Sequence, residues 1–315
     1  AILFYATGDS GHNTTAPTGI FSGSGWQYEG LYGAYLGTTI APQYFGLANG
    51  DNSTRDTIVD WLYGVNDQRT NNRLADIIHS SPVIVGPPDL NIADESYNAY
   101  RQRTEVAGRP TMLYVGTNDG LIHAFVAKDW TATYSVVTPN FTYNPNDTIP
   151  AGTELWAYLA PMVMPNVNGF RSAHGNGADG TSIVKEVFFR RQQGAGIDGG
   201  IYHTVLLTGF GRGGGGYIAL DVTNPFTPKF MWQFVTSDIG ATMGSPALGQ
   251  VLVRGSNGTQ TNVLIETAIA LLPAGSGVDI SSTCQDAQIV DGQWTMPIGC
   301  PSQGIGTPPA NQGTI

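Results

Sequence analysis

Charged residues are scarce in this chain. Asp, Glu, Lys and Arg make up 12% of its 315 residues, and 24 acidic residues outweigh 14 basic ones. The resulting net charge of −10 repels phosphates, so we expect no nucleic-acid partner. The basic residues form no polybasic run, so the sequence does not predict binding to an anionic membrane surface.

Long hydrophobic runs are also missing. The most apolar stretch, residues 263–274, contains Glu266 and falls short of the roughly 20 residues that a membrane-spanning helix needs. The start, Ala1 to Tyr5, has no basic region before a long apolar core, as a secretory signal would. We therefore expect no membrane span, and a chain that was processed or is a piece of a longer precursor.

Cysteine occurs twice, at Cys284 and Cys300, in a polar segment rich in Gly, Pro and Ser. An exported protein would oxidise these thiols, and closing a loop of this length contributes about 3 kcal/mol in the chain-entropy model. We predict a disulfide between Cys284 and Cys300, the alternative being two unpaired thiols in a loop. Two sulfurs with no nearby His make a poor zinc site.

Glycine, in contrast, is abundant, with 42 residues. Several glycines separate short apolar runs. Residues 112–115 meet the turn Gly116-Thr-Asn-Asp-Gly120, and a second apolar run, residues 121–125, follows at once. Because Asn-Asp-Gly tolerates the positive φ values of tight hairpins, the pattern predicts two antiparallel strands that turn at residues 118–120.

A related pattern recurs downstream, where residues 203–209 and 217–222 flank a run of four glycines. A Ser-Pro pair accompanies each hairpin, at Ser81-Pro82 before the first and at Ser245-Pro246 after the second. A repeated unit of short strands is the signature of a β-propeller.

The repeat divides into blades of four strands. The first blade is predicted at residues 82–86, 111–116, 121–127 and 154–160; the second at 183–190, 203–209, 217–222 and 230–234; the third from 245 through 263–271. Trp156 and Trp232 lie on the two closing strands. About three blades are visible, whereas a closed propeller needs about 4–8. We therefore predict an all-β, quinoprotein-like propeller that is incomplete within this chain.

The organisation has three parts. Residues 1–72 form an N-terminal segment rich in glycine and aromatic residues, residues 73–275 hold the blades, and residues 276–315 form a loop-rich tail. Long insertions at residues 128–152 and 161–180 stretch the repeat beyond the roughly 40–50 residues usual for a blade.

One short amphipathic helix is predicted before the first blade, at residues 54–63. Thr54 is the expected N-cap. The expected buried face consists of Ile58, Val59, Trp61 and Leu62.

These strings resemble the C-terminal propeller domain of the PilY family, the type IV pilus tip and biogenesis proteins. The resemblance spans residues 41–250, and its most specific strings are Tyr114-Val-Gly-Thr-Asn-Asp-Gly-Leu-Ile-His-Ala-Phe125 and Gly213-Gly-Gly-Gly-Tyr-Ile-Ala-Leu-Asp-Val-Thr-Asn-Pro225. It implies an exported, extracellular adhesin at the pilus tip, with a role in twitching motility. The implied partners are minor pilins, a host or abiotic surface, and a second chain that completes the propeller.

The resemblance also raises calcium as a cofactor, because the family is associated with an Asp- and Asn-rich calcium loop. The expected place of that loop is after the blades seen here. Local candidates are residues 51–56, and Asp179 with Asp198. For residues 51–56 the alternative is a polar loop that leads into the helix, where Asp56 would interact with the helix dipole.

Catalytic patterns are thin. His79 and His123 lie inside β-runs, and we expect them to tie neighbouring strands rather than to bind metal or act as an acid–base pair. Asp119 and Asp221 lie at turns, where we expect their carboxylates to accept backbone N–H bonds. No hydrolase, zinc-protease or phosphate-binding motif occurs. We expect a non-enzymatic protein, the alternative being an exported quinoprotein-type propeller enzyme.

Overall fold

A computed structural model describes most of the region from residue 42 to residue 273, with short pieces on either side. The described ranges are residues 2–5, 29–31, 42–64, 69, 73–137, 142–160, 162–188, 190–192, 202–235, 240–256, 261–273, 275, 288–290 and 293–295. Strands dominate these ranges, which confirms the predicted all-β class.

The strands and helices have the following bounds. The strands are β1 (Ile2–Tyr5), β2 (Glu29–Leu31), β3 (Val83–Val85), β4 (Met112–Gly116), β5 (Leu121–Val126), β6 (Trp130–Thr131), β7 (Val136–Val137), β8 (Thr142–Tyr143), β9 (Thr148–Ile149), β10 (Glu154–Leu159), β11 (Ser182–Phe188), β12 (Arg190–Gln192), β13 (Tyr202–Gly209), β14 (Gly216–Asp221), β15 (Lys229–Val235), β16 (Ala247–Ser256), β17 (Thr261–Leu271), β18 (Gln288–Val290) and β19 (Gln293–Thr295). The α-helices are α1 (Asn52–Leu62), α2 (Glu95–Arg101), α3 (Thr104–Ala107) and α4 (Val167–Phe170), and 3₁₀ turns lie at Pro42–Phe45 and Met164–Asn166.

The first blade is a meander of β3, β4, β5 and β10, as predicted. Its hairpin pairs Leu113 with Phe125 and turns through Gly120, which has a φ of 92°. The blade is larger than expected, because β1 pairs in parallel with β10 and β2 continues the sheet beyond β1. The N-terminal residues thus extend the outer edge of this blade.

The second blade is the antiparallel sheet β11-β13-β14-β15, again as predicted. The third sheet has the order β12-β17-β16, in which the long hairpin of β16 and β17 is joined by the short strand β12. The chain therefore passes from the first strand of the second blade directly onto the third sheet. Two four-stranded blades and part of a third confirm the incomplete propeller.

Apolar side chains fill the spaces between the sheets. One cluster joins the first blade, through Tyr114 and Ile122, to Leu206 and Ile218 of the second. The opposite face of the second blade carries Val205, Leu207, Tyr217 and Ala219, which contact the partly buried Leu248, Ala268 and Ala270 of the third sheet. Successive residues of a strand point to opposite faces, so one strand serves both interfaces.

Helix α1 lies where it was predicted, but Thr54 is not its N-cap. The Oδ1 atom of Asp51 accepts a bond from the backbone N–H of Thr54 at 3.1 Å, so Asp51 caps the helix. Asp56 lies beyond the first turn, where the dipole interaction is weak, and pairs with Arg55. The predicted buried face is confirmed, since Ile58, Val59, Trp61 and Leu62 are all buried.

Helices α2 and α3 were not predicted. They form an insertion between β3 and β4, and Asp94 begins α2 by accepting bonds from the backbone N–H groups of Ser96 and Tyr97. The buried rings of Tyr97 and Tyr100 contact the ring of Tyr202 in the second blade. The insertion therefore spans two blades.

Within the described residues, no helix is both long and apolar enough to cross a membrane. The division of the chain at residues 72 and 275 stays a prediction.

Substitution of the helix cap gives a direct test of this correction. Asp51→Ala should lower the free energy of unfolding by about 1 kcal/mol, because the N–H of Thr54 loses its acceptor. Thr54→Ala is the matched control and should change stability by less than about 0.5 kcal/mol. Urea denaturation of both variants measures the difference, and a larger loss for Thr54→Ala would restore Thr54 as the cap.

Candidate functional site

The second-to-third strand turns of the first two blades lie against the segments that lead into the next blades. We call this region the turn layer. It consists of the turns at residues 116–120 and 209–213 and of three lead-in segments, residues 73–81, 173–181 and 240–246, which precede β3, β11 and β16.

Backbone groups meet directly in the turn layer. The N–H of Ala178 donates to the carbonyl of Thr117 at 2.9 Å, and the N–H of Asp179 donates to the carbonyl of Phe210 at 3.3 Å. The second lead-in segment thus binds the turn of the first blade and the turn of its own blade.

Glycine makes this approach feasible. A Cβ on Gly177 would lie 2.2 Å from the nitrogen of Gly120, and a Cβ on Gly213 would lie 1.6 Å from the carbonyl oxygen of Gly177. Both distances are too short for any other side chain. The glycine-rich run that the sequence shows at residues 213–216 therefore serves contact between blades.

The third lead-in segment repeats the arrangement. The Oγ1 atom of Thr242 accepts bonds from the backbone N–H groups of Phe210 and Gly211 at 2.8 and 3.1 Å. Each blade's turn is therefore held by the segment that leads into the following blade.

Two histidine–aspartate pairs connect the first and second lead-in segments. His79 Nδ1 lies 2.7 Å from Asp179 Oδ2, and the backbone N–H of His79 donates to Asp179 Oδ1 at 3.2 Å. His174 Nε2 bonds to Asp76 Oδ2 in the opposite sense. Each segment contributes one histidine and one aspartate, so the link is reciprocal.

A buried polar chain runs through the first blade beneath its turn. Arg69 and Asp119 are paired at 2.8 Å, and Asp119 accepts from the hydroxyl of Thr117. His123 Nε2 lies 3.1 Å from the same hydroxyl, and His123 Nδ1 lies 2.5 Å from Glu154 Oε1 on the adjacent strand. As expected, His79 and His123 both tie neighbouring parts of the chain together.

Asp119 and Asp221 accept backbone N–H bonds, as predicted. Asp119 Oδ1 receives the N–H of Leu121 at 3.2 Å, and Asp221 Oδ1 receives that of Thr223 at 2.9 Å. Burial alone would raise the pKa of Asp221, but the hydrogen bond and charge of His203 and the bonds from Thr223 outweigh it. The pKa of Asp221 therefore lies below its usual value.

Arg109 is a structural residue that the sequence did not reveal. Its guanidinium is buried and donates to the carbonyl of Gly86 at 2.6 Å, to Thr204 Oγ1 at 2.6 Å and to Glu186 Oε1 at 3.0 Å. It thereby joins the end of β3 to two strands of the second blade. A lone arginine before Pro110 at the start of an apolar run was the available signal.

The calcium candidates have mixed outcomes. Asp51 is occupied by the helix cap, and both carboxylate oxygens of Asp179 bind His79. In the described part of the chain, no group of three or more His, Cys, Asp or Glu side chains is arranged to hold a metal ion. Asp198, Cys284 and Cys300 lie outside the described residues, so the disulfide stays a prediction.

Tandem four-stranded sheets joined through their turns define the class as a propeller built from quinoprotein-like blades. The family described as the PilY1 beta-propeller domain matches residues 74–250. This chain belongs to that family.

Named relatives agree with the assignment. A type IV pilus biogenesis factor PilY1 from Pseudomonas aeruginosa is 30% identical over 192 residues, covering 56% of this chain and 14% of the relative. A PilY1 homolog from Xylella fastidiosa is 25% identical over 231 residues, covering 67% of this chain and 16% of the relative. The chain thus spans about one sixth or less of the length of these relatives.

Among solved structures, the crystal structure of the Pseudomonas aeruginosa PilY1 C-terminal domain is similar. It aligns with a TM-score of 0.35 and 24% identity, covering 56% of this chain and 32% of that one.

The glycine contacts predict a large difference between two similar substitutions. Gly213→Ala should destabilise the protein by about 1–3 kcal/mol, because its Cβ would overlap the carbonyl of Gly177. Gly169→Ala, in helix α4 with open space around it, should be neutral or slightly stabilising. Thermal unfolding of the two variants compares them, and equal melting temperatures would contradict the close contact.

The lowered pKa of Asp221 predicts a pH-dependent loss in Asp221→Asn. A carboxylate with a depressed folded-state pKa contributes stability above its unfolded pKa of about 3.9, and the contribution is lost as pH falls through the folded value. Asp221→Asn should therefore cost about 1.5–3 kcal/mol at pH 7 and progressively less below about pH 4. Urea titrations across this range measure the loss, with the exposed Asp89→Asn as the control. A loss that is independent of pH would refute the charged interaction.

Proposed function

We propose that this chain is a non-enzymatic component of a type IV pilus, located at or near the pilus tip. Its propeller would serve as a scaffold for contacts with minor pilins and with a host or abiotic surface, in support of adhesion and twitching motility. Membership of the PilY1 propeller family carries the proposal, since the named relatives are type IV pilus biogenesis factors. The proposed location is extracellular, after export through the periplasm.

The insertions support a role in recognition. Between β5 and β10, the first blade carries two small antiparallel pairs, β6 with β9 and β7 with β8. Val137, in this insertion, is 70% exposed. Loops that project from a rigid scaffold are the usual location of binding residues.

The sheet edges support a partner that adds a strand. Among the described strands, β15 ends the second blade and β16 ends the third sheet. Unpaired edges favour pairing with another chain. Since β1 already pairs in parallel with the outer strand of the first blade, an added strand at such an edge is compatible with this architecture.

The polar residues of the turn layer favour a structural over a catalytic role. Asp119 and Asp179 are buried and engaged by Arg69 and His79. His123 is held between a hydroxyl and a carboxylate of its own blade. These bonds commit the groups that could otherwise transfer protons to a substrate.

Imaging tests the proposed location. The full-length protein that carries this chain, tagged and expressed in a strain lacking the native copy, should label one end of each pilus. A tagged major pilin in the same strain is the control and should label the whole shaft. Label along the shaft for the tested protein, or label confined to the periplasm, would contradict the tip assignment.

A further inference from the structure

The first lead-in segment exposes large aliphatic side chains. Leu74 is 46% exposed, Ile77 42% and Ile78 53%, although all three lie within nine residues of strand β3. Aliphatic side chains that cluster on the surface of a soluble protein mark an interaction site more often than they occur by chance.

The same segment is fixed from its other side. The carbonyl of Asp76 accepts from the N–H of Asn118 at 3.0 Å, and Ser80 Oγ accepts from the N–H of Gly116 at 2.9 Å. His79 is bound to Asp179. These bonds anchor the backbone, so the aliphatic side chains cannot turn inward without breaking the turn layer.

Arginines surround this exposed segment. Arg73 immediately precedes Leu74 and is exposed, and Arg212 is exposed in the turn of the second blade, whose residues contact Asp179 and Gly180. Arg171 lies three residues before His174, which bonds to Asp76. Over the described residues, none of these three arginines forms a salt bridge.

The carboxylates of the turn layer are already neutralised. Asp76 is bonded to His174, Asp119 to Arg69, and Asp179 to His79. The turn layer is therefore locally cationic in a chain whose net charge is −10. This charge difference selects an acidic partner and repels a basic one.

We infer that this surface binds an acidic, aliphatic segment of a partner protein. The surface, named here the lead-in patch, consists of Leu74, Ile77 and Ile78 with Arg73, Arg171 and Arg212. The partner's aliphatic side chains cover the three exposed aliphatic residues, and its carboxylates pair with the arginines. The inference deepens the proposed partner role and rests on it where the partner is taken to be a pilin.

A pair of synthetic peptides tests the chemistry without any pilin. One labelled peptide of about 12 residues alternates Glu with Leu, and its match replaces every Glu by Lys. Fluorescence anisotropy with the full chain should show binding of the Glu peptide, at least about tenfold weaker binding of the Lys peptide, and weakening by salt. No binding of the Glu peptide up to about 1 mM, or equal binding of both peptides, overturns the inference.

Variants locate the binding. The pairs Arg73→Glu with Arg212→Glu and Ile77→Ser with Ile78→Ser should each weaken binding of the Glu peptide about tenfold or more. The controls are Leu252→Ser with Val253→Ser, and Arg254→Glu, which change similarly exposed residues on β16. They should shift binding less than about twofold. Melting temperatures near that of the parent confirm that all variants are folded, and equal losses in the controls overturn the assignment.

Purified pilin ectodomains from the same organism separate this inference from the proposed function. Binding that the patch variants abolish supports both. Binding that the patch variants leave unchanged retains a pilin partner but overturns the lead-in patch as its site. If the Glu peptide binds at the patch and no pilin ectodomain does, the patch stands and the proposed pilin contact fails.

Discussion

Contact between backbones in the turn layer is the constraint on which the described structure depends. The N–H of Ala178 reaches the carbonyl of Thr117, and the glycines at 120, 177 and 213 leave no space for side chains between the turns. Hydrogen bonds at this distance position each lead-in segment against the preceding turn. Since the lead-in segment continues directly into the first strand of its blade, the spacing of the blades follows from these contacts.

Two further interactions hold the first and second blades at other points. Arg109 lies between Gly86, Thr204 and Glu186, so that its buried charge has a carboxylate and several acceptors. A buried charge without such partners would cost several kcal/mol. The indole N–H of Trp156 donates to the carbonyl of Pro225 at 2.7 Å, which connects the closing strand of the first blade to the second. The blades are therefore joined through three separate sets of polar contacts as well as through their shared apolar cluster.

The sequence predicted the parts of this fold that depend on local periodicity. Alternating apolar residues and the Asn-Asp-Gly turn identified β4 and β5, and both complete blades have their predicted four strands. Contacts between distant residues were not predictable in this way. The pairing of β1 with β10 joins residues far apart in the chain, and His79 lies a hundred residues from Asp179. The cap of α1 was misassigned because Asp51 and Thr54 are both good capping residues, and only the backbone conformation distinguishes them.

The constraint that assembles the blades also determines what their surface presents. The lead-in segment of residues 73–81 uses its backbone and polar side chains, including those of Asp76 and His79, to bind the turns and the neighbouring segment. Its aliphatic side chains are left facing outward, and the histidines and Arg69 that neutralise the local aspartates leave the arginines uncompensated. A rigid, cationic and apolar surface thus arises from the same bonds that fix the blades. Because recognition and assembly share these residues, exposed positions such as Ile77 can vary with the partner, whereas Asp179 and Gly177 cannot vary without loss of the blade arrangement.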